Sequence, residues 1–150
     1  MKLTGAGTAF ELRIAGYEFP EIIGEKYDSN WLLIEGHVTH ATGSWVFCHP
    51  CMLTFDVVEL ADWLERCAKN KLSDMVLRFL EPNIWFSLVN CNTLRVCFDA
   101  EALPSWIPLE YTSEQDFYCD FPVNEIISIE AARQLRDQLA RFPQRFYEVY

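Results

Sequence analysis

Trp31-Leu32-Leu33-Ile34-Glu35-Gly36-His37-Val38-Thr39-His40, then Ala41-Thr42-Gly43, then Ser44-Trp45-Val46-Phe47-Cys48-His49, is the stretch on which the fold turns. Two runs rich in β-branched and aromatic residues flank a short turn containing glycine, the pattern of a β-hairpin. Pro50 follows and has no N–H for a ladder, so the second strand is expected either to end there or to be demoted to an edge strand. Upstream, Phe10, Leu12 and Ile14 alternate with Glu11 and Arg13, a period-two strand. Residues 17–29 between these strands are acidic and irregular.

Downstream, Asp56 with Glu59 three residues later resembles a capping box that opens a helix over about 57–69. Its apolar stripe is Val57, Leu60, Ala61, Leu64, Cys67 and Ala68. Three strands are predicted over 75–80, 84–90 and 94–99, with Pro82-Asn83 and Asn90-Cys91-Asn92-Thr93 as turns. A loop covers about 100–115, and Phe117, Cys119 and Phe121 mark a last strand. Ser128 is the expected cap of a final helix over about 129–142, with Ile129, Ala132, Leu135, Leu139 and Phe142 on its buried stripe. Consecutive strands, hairpin connections and two helices predict an α+β fold on an antiparallel sheet of six to seven strands. At 150 residues, without a linker or repeat, one domain spanning 1–150 is expected.

The formal net charge is −10, which repels nucleic acid and anionic lipid and favours a basic partner. Between Arg95 and Arg133 there is no lysine or arginine. Asp99, Glu101, Glu110, Glu114, Asp116, Asp120, Glu125 and Glu130 stand in that interval. The same window holds Trp106, Ile107, Leu109 and Tyr111 around Pro104 and Pro108. Acids interleaved with Trp and Tyr read as a protein-binding loop, since these rings dominate interface hot spots and the charge steers encounter. The candidate binding residues are Glu101, Trp106, Glu110, Tyr111, Glu114 and Asp116. The rival face is Glu18, Glu21, Glu25 and Asp28.

Six cysteines in a chain with this much core read as buried thiols in a reducing compartment rather than as a disulfide framework. The first residues lack the apolar core of a signal peptide and no segment is long enough to span a bilayer, so a cytoplasmic location is expected.

Cys48-His49-Pro50-Cys51 is the sharpest chemical motif and raises the alternative of a thiol-disulfide oxidoreductase. Its distance from the expected helix cap at Asp56 and the antiparallel setting argue against that chemistry. His37, His40 and His49 with Cys48 and Cys51 supply only one close-spaced pair, short of the two that structural zinc usually takes. Gly5 and Gly7 precede a strand and form no phosphate cradle. Glu35, between Ile34 and Gly36, reads as a carboxylate with a raised pKa, or more often as the partner of an arginine or a residue on a solvated face. No nucleophile motif is present, and no catalytic residue, cofactor or metal is expected.

The chain also resembles a known family along most of its length. Leu12-Arg13-Ile14-Ala15-Gly16-Tyr17-Glu18-Phe19-Pro20, Asp28-Ser29-Asn30-Trp31-Leu32 and Gly43-Ser44-Trp45-Val46-Phe47 carry the resemblance. So do Leu60-Ala61-Asp62-Trp63-Leu64, Leu80-Glu81-Pro82-Asn83 and Phe121-Pro122-Val123. Together they resemble the WapI-type immunity proteins, which are paired with toxic C-terminal domains of large bacterial polymorphic toxins. Where that family commonly carries an aspartate before the Pro-Cys step, this chain has Cys48-His49. The resemblance implies a non-enzymatic, cofactor-free cytoplasmic protein that binds one cognate toxin C-terminal domain. Many such toxins act on nucleic acid through basic clefts, which an acidic protein can occupy. A non-enzymatic adaptor subunit without a toxin is the blander alternative.

Overall fold

The computed structural model describes residues 1–108 and 117–145. Eight strands form two four-stranded antiparallel sheets, a finer division than the single sheet of six to seven strands expected from pattern alone. The first sheet orders β1 (Lys2–Gly5), β2 (Thr8–Tyr17), β3 (Trp31–His40) and β4 (Gly43–Leu53) side by side. The second orders β5 (Val76–Leu77), β6 (Ile84–Val89), β7 (Thr93–Phe98) and β8 (Phe117–Pro122). Helices α1 (Thr54–Ala68) and α2 (Glu125–Leu139) pack against each other.

The central hairpin pairs His40 with Gly43 and keeps register back to Leu33 opposite Pro50. Its even positions Leu32, Ile34, Val38 and its odd positions Trp45 and Phe47 on the return strand are buried, whereas Glu35, His37, Val46 and Cys48 face outward. Gly36 sits on the inner face because Phe47 lies across it; a Cβ there would come within 2.2 Å of the Phe47 ring. The inner face meets the second sheet through edge-on rings. Phe98 of β7 lies 5.4 Å from Phe10, 5.5 Å from Trp45 and 6.1 Å from Phe47, and Phe117 of β8 lies 5.5 Å from Trp45. Such contacts add to the burial of large apolar area.

Several boundaries differ from expectation, each for a local reason. β4 runs through Pro50 to Leu53. It is tolerated there because β4 has a single neighbour and the ladder bulges, with Leu32 opposite Met52 and Leu33 opposite Pro50. The extra residue, Cys51, lets consecutive Cys51, Met52 and Leu53 all be buried. α1 therefore begins directly from the strand at Thr54, with Leu53 as N-cap. Asp56 is the third helical residue, and its carboxylate accepts from Leu53 N–H at 2.8 Å. α2 is capped by Asn124, whose side chain accepts from Ile127 N–H at 2.9 Å, and not by Ser128, which is buried inside the helix. The earlier start rotates the stripe: Ser128, Ala131, Ala132, Leu135 and Gln138 face inward, and Ile129 is exposed. Gln138 docks α2 onto β2, accepting from Ile14 N–H at 2.7 Å and donating to Leu12 C=O at 3.1 Å. β1 was not foreseen, and β5 is two residues where six were expected.

Candidate functional site

The acids of the interval between Arg95 and Arg133 divide once partners are assigned. Asp99 caps the short 3-10 turn Ala100–Ala102 through Ala100 N–H at 2.8 Å. Glu101 accepts from the buried Asn83 amide at 2.7 Å and lies 3.7 Å from His49 Nε2. Its own backbone N–H and Asn83 hold its carboxyl below the usual range. Asp120 takes Arg95 in two hydrogen bonds of 2.8 and 2.9 Å across β7 and β8, and the same guanidinium lies 3.7 Å over the Tyr118 ring. Glu130 is bound by Arg133 at 2.6 Å, which with Gln134 brings its carboxyl down to about 2. Glu125 sits in the first turn of α2, where the helix dipole favours it. Glu110, Tyr111, Glu114 and Asp116 lie outside the described residues.

Trp106 is 45 % exposed, with the rest of its ring against Trp45 at 5.7 Å and over Gly43. Trp45 in turn donates its indole N–H to Ala102 C=O at 2.9 Å. The described part of this loop is thus stapled to β4, with Ala102 buried and Leu103 packed on the core. Glu101 and Trp106 are on the same short segment, but Glu101 is committed to Asn83.

The segment around Glu18, Glu21, Glu25 and Asp28 has the opposite character. None of these four carboxylates makes an ion pair or side-chain hydrogen bond with a described residue. From Phe19 to Asp28 every residue except Ile22 is exposed. Phe19, Ile23 and Tyr27 are 37 %, 69 % and 47 % exposed. The backbone beneath them is held firmly. Asn30, fully buried, donates to Lys26 C=O at 2.9 Å and accepts from Thr54 Oγ1 at 2.8 Å and Arg145 N–H at 2.9 Å. Ser29 Oγ accepts from Glu25 N–H at 2.8 Å, and the Arg145 side chain donates to Pro20 C=O at 2.5 Å. Composition marks the acids of this segment but not its three exposed apolar side chains or the Asn30 anchor. Their one sequence signal is the spacing of four from Phe19 to Ile23 to Tyr27 in a stretch without strand alternation.

The cysteine motif is split by the sheet. Cys48 is exposed on the outer face, whereas Cys51 is buried at the bulge, where desolvation pushes its thiol up to about 12. A thiol held neutral is a poor nucleophile. The helix does start closer to Cys51 than expected, but both cysteines remain within β4.

The three histidines do not converge. His37 joins Glu35 and Arg13 on the outer face, with Nε2 2.5 Å from Glu35 and 3.1 Å from Arg13. His40 bonds Thr42 at 2.8 Å and packs on Phe117, and His49 faces Glu101. Glu35 is the arginine-paired carboxylate of these readings: His37 and then Arg13 lower its pKa. Among the described residues no group of three or more His, Cys, Asp or Glu is placed to hold a metal ion. Among the same residues no helix is long and apolar enough to cross a membrane.

Comparison with curated proteins and with solved structures gave no match. Comparison with protein-family models matches the immunity protein WapI-like family over residues 2–143, from the start of β1 to beyond α2. The match covers both sheets and both helices, including the stretches whose resemblance was noted above, so this chain belongs to the WapI-like immunity protein family.

Proposed function

We propose that the chain binds and neutralises a cognate toxin C-terminal domain in the cytoplasm, and that the toxin is basic and directed at nucleic acid. Binding uses an acidic surface that carries exposed aromatic residues, with no catalysis, cofactor or nucleic acid contact by this chain. Family membership supports a toxin as the partner. The observation that carries the basic, cleft-bearing character is a net charge of −10 that includes carboxylates without an ion-pair partner among the described residues. Such groups lose little on meeting lysines and arginines that would otherwise hold phosphates. The oxidoreductase alternative draws no support from a Cys51 thiol pushed up to about 12.

The test uses the C-terminal domain of the protein encoded immediately upstream. Equimolar addition of this chain should abolish that domain's nucleic acid cleavage. The association rate should fall by roughly tenfold or more as salt rises from low to high ionic strength, as steered encounters do. Cleavage that continues at saturating chain defeats the proposal, and a salt-independent rate defeats the electrostatic part of it.

A further inference from the structure

We infer that the toxin docks on the segment Phe19–Asp28, with Phe19, Ile23 and Tyr27 as its apolar anchors and Glu18, Glu21, Glu25 and Asp28 as the surrounding charge. This rests on the toxin-neutralising reading and specifies its surface. Three large apolar side chains standing in solvent on one ten-residue segment lose hydration cost only when something covers them. The occupant is a basic protein surface, since the four acids beside them have no described cation to answer them. Apolar anchors ringed by charge form the usual layout of an interface, in which the centre is desolvated and the rim sets specificity and on-rate.

The segment is also ordered before any partner arrives. Asn30, Ser29 and Arg145 hold its backbone from three sides, and Tyr27 rests edge-on against Phe55 of α1 at 6.3 Å. A surface fixed in advance avoids the ordering entropy that a free loop loses on binding. Lys26, 5.3 Å over the Tyr27 ring, and the Arg145 guanidinium on the Phe19 and Pro20 carbonyls are the cations a basic partner would have to tolerate. The described part of the Trp106 loop is held as firmly, but it carries one exposed aromatic ring, packed on Trp45, where this segment carries three exposed apolar side chains, and its Glu101 already bonds Asn83.

Two variants of the full chain separate the surfaces. Ile23→Ala with Tyr27→Ala and Glu25→Lys should weaken binding of the upstream-encoded toxin domain by about 30-fold or more, the size of a hot-spot loss. Trp106→Ala should change it by less than about threefold. Circular dichroism and thermal unfolding first establish that both variants keep the fold. If the wild-type chain binds and the segment variant binds equally well, the surface assignment is overturned while the toxin-neutralising reading stands. If Trp106→Ala alone removes binding, the site lies at the other loop. If the wild-type chain does not bind the domain at all, the toxin-neutralising reading falls, and this inference falls with it.

Discussion

Asn30→Ala is the substitution with the most to say about how this chain works. The Asn30 side chain is fully buried and makes three hydrogen bonds, to Lys26 C=O, Thr54 Oγ1 and Arg145 N–H. Truncation removes all three. The Thr54 hydroxyl, itself fully buried, is then left with no acceptor, and the Lys26 and Arg145 backbone groups must find water. An intramolecular hydrogen bond contributes about 1 kcal/mol net, and a stranded buried polar group costs about 1–3 kcal/mol. The expected loss is therefore about 3 kcal/mol, read from urea unfolding followed by circular dichroism with unchanged slope. Adding Thr54→Val removes the stranded hydroxyl, so the double variant should cost no more than the single one. A loss below about 1 kcal/mol, or a double variant whose losses simply add, refutes Asn30 as the hub.

Gly36→Ala should cost about 1–3 kcal/mol, because its Cβ meets the Phe47 ring; Phe47→Leu in the same chain should recover much of that, and thermal unfolding reads both. Glu35 has a folded pKa below its ordinary 4.5, so its contribution to stability is present above that range and lost as the pH falls through the lowered value. Glu35→Gln should accordingly flatten the fall in melting temperature as the pH drops below the ordinary 4.5, and parallel curves would remove His37 and Arg13 as the cause. Asp56 works in the opposite sense, since burial raises its pKa and disfavours its charged form in the fold. Alkylation of the native chain, mapped by mass spectrometry, should label the exposed Cys48 and Cys91 and spare Cys51, Cys67, Cys97 and Cys119 until unfolding. Equal labelling of Cys51 and Cys48 would reopen the redox alternative.

The hairpin from Trp31 to His49 was legible because its alternation and its turn are both local. The split into two sheets was not, since alternation marks a strand without naming its neighbour, and β4 pairs with β3 and β5 with β6 but not with each other. Both helix starts were placed too late for one reason. Asp56 and Ser128 are residue types that favour caps, but the chain leaves its extended conformation directly after Leu53 and Asn124, which are the N-caps. The charge window shows a related limit of local reading. Arg95 stands just outside it in sequence and directly opposite Asp120 across a ladder, so counting along the chain overlooked the neutralisation. What the sequence could not convey about 18–28 was exposure: only the structure distinguishes Phe19, Ile23 and Tyr27 in solvent from the same residues turned into a core.

The bulge at Cys51 bears on how this protein behaves at high concentration. β4 is eleven residues long and has a neighbour on one side only, which would ordinarily offer a second copy a template for continuous pairing. Pro50 has no N–H to donate, and the added residue beside it twists the strand out of line, so a second chain could not pair along its whole length. The irregularity at the foot of the hairpin thereby disfavours edge-to-edge pairing in a chain with 51 % hydrophobic residues. Replacing Pro50 with valine is the change that would expose the cost, as turbidity rather than as lost stability.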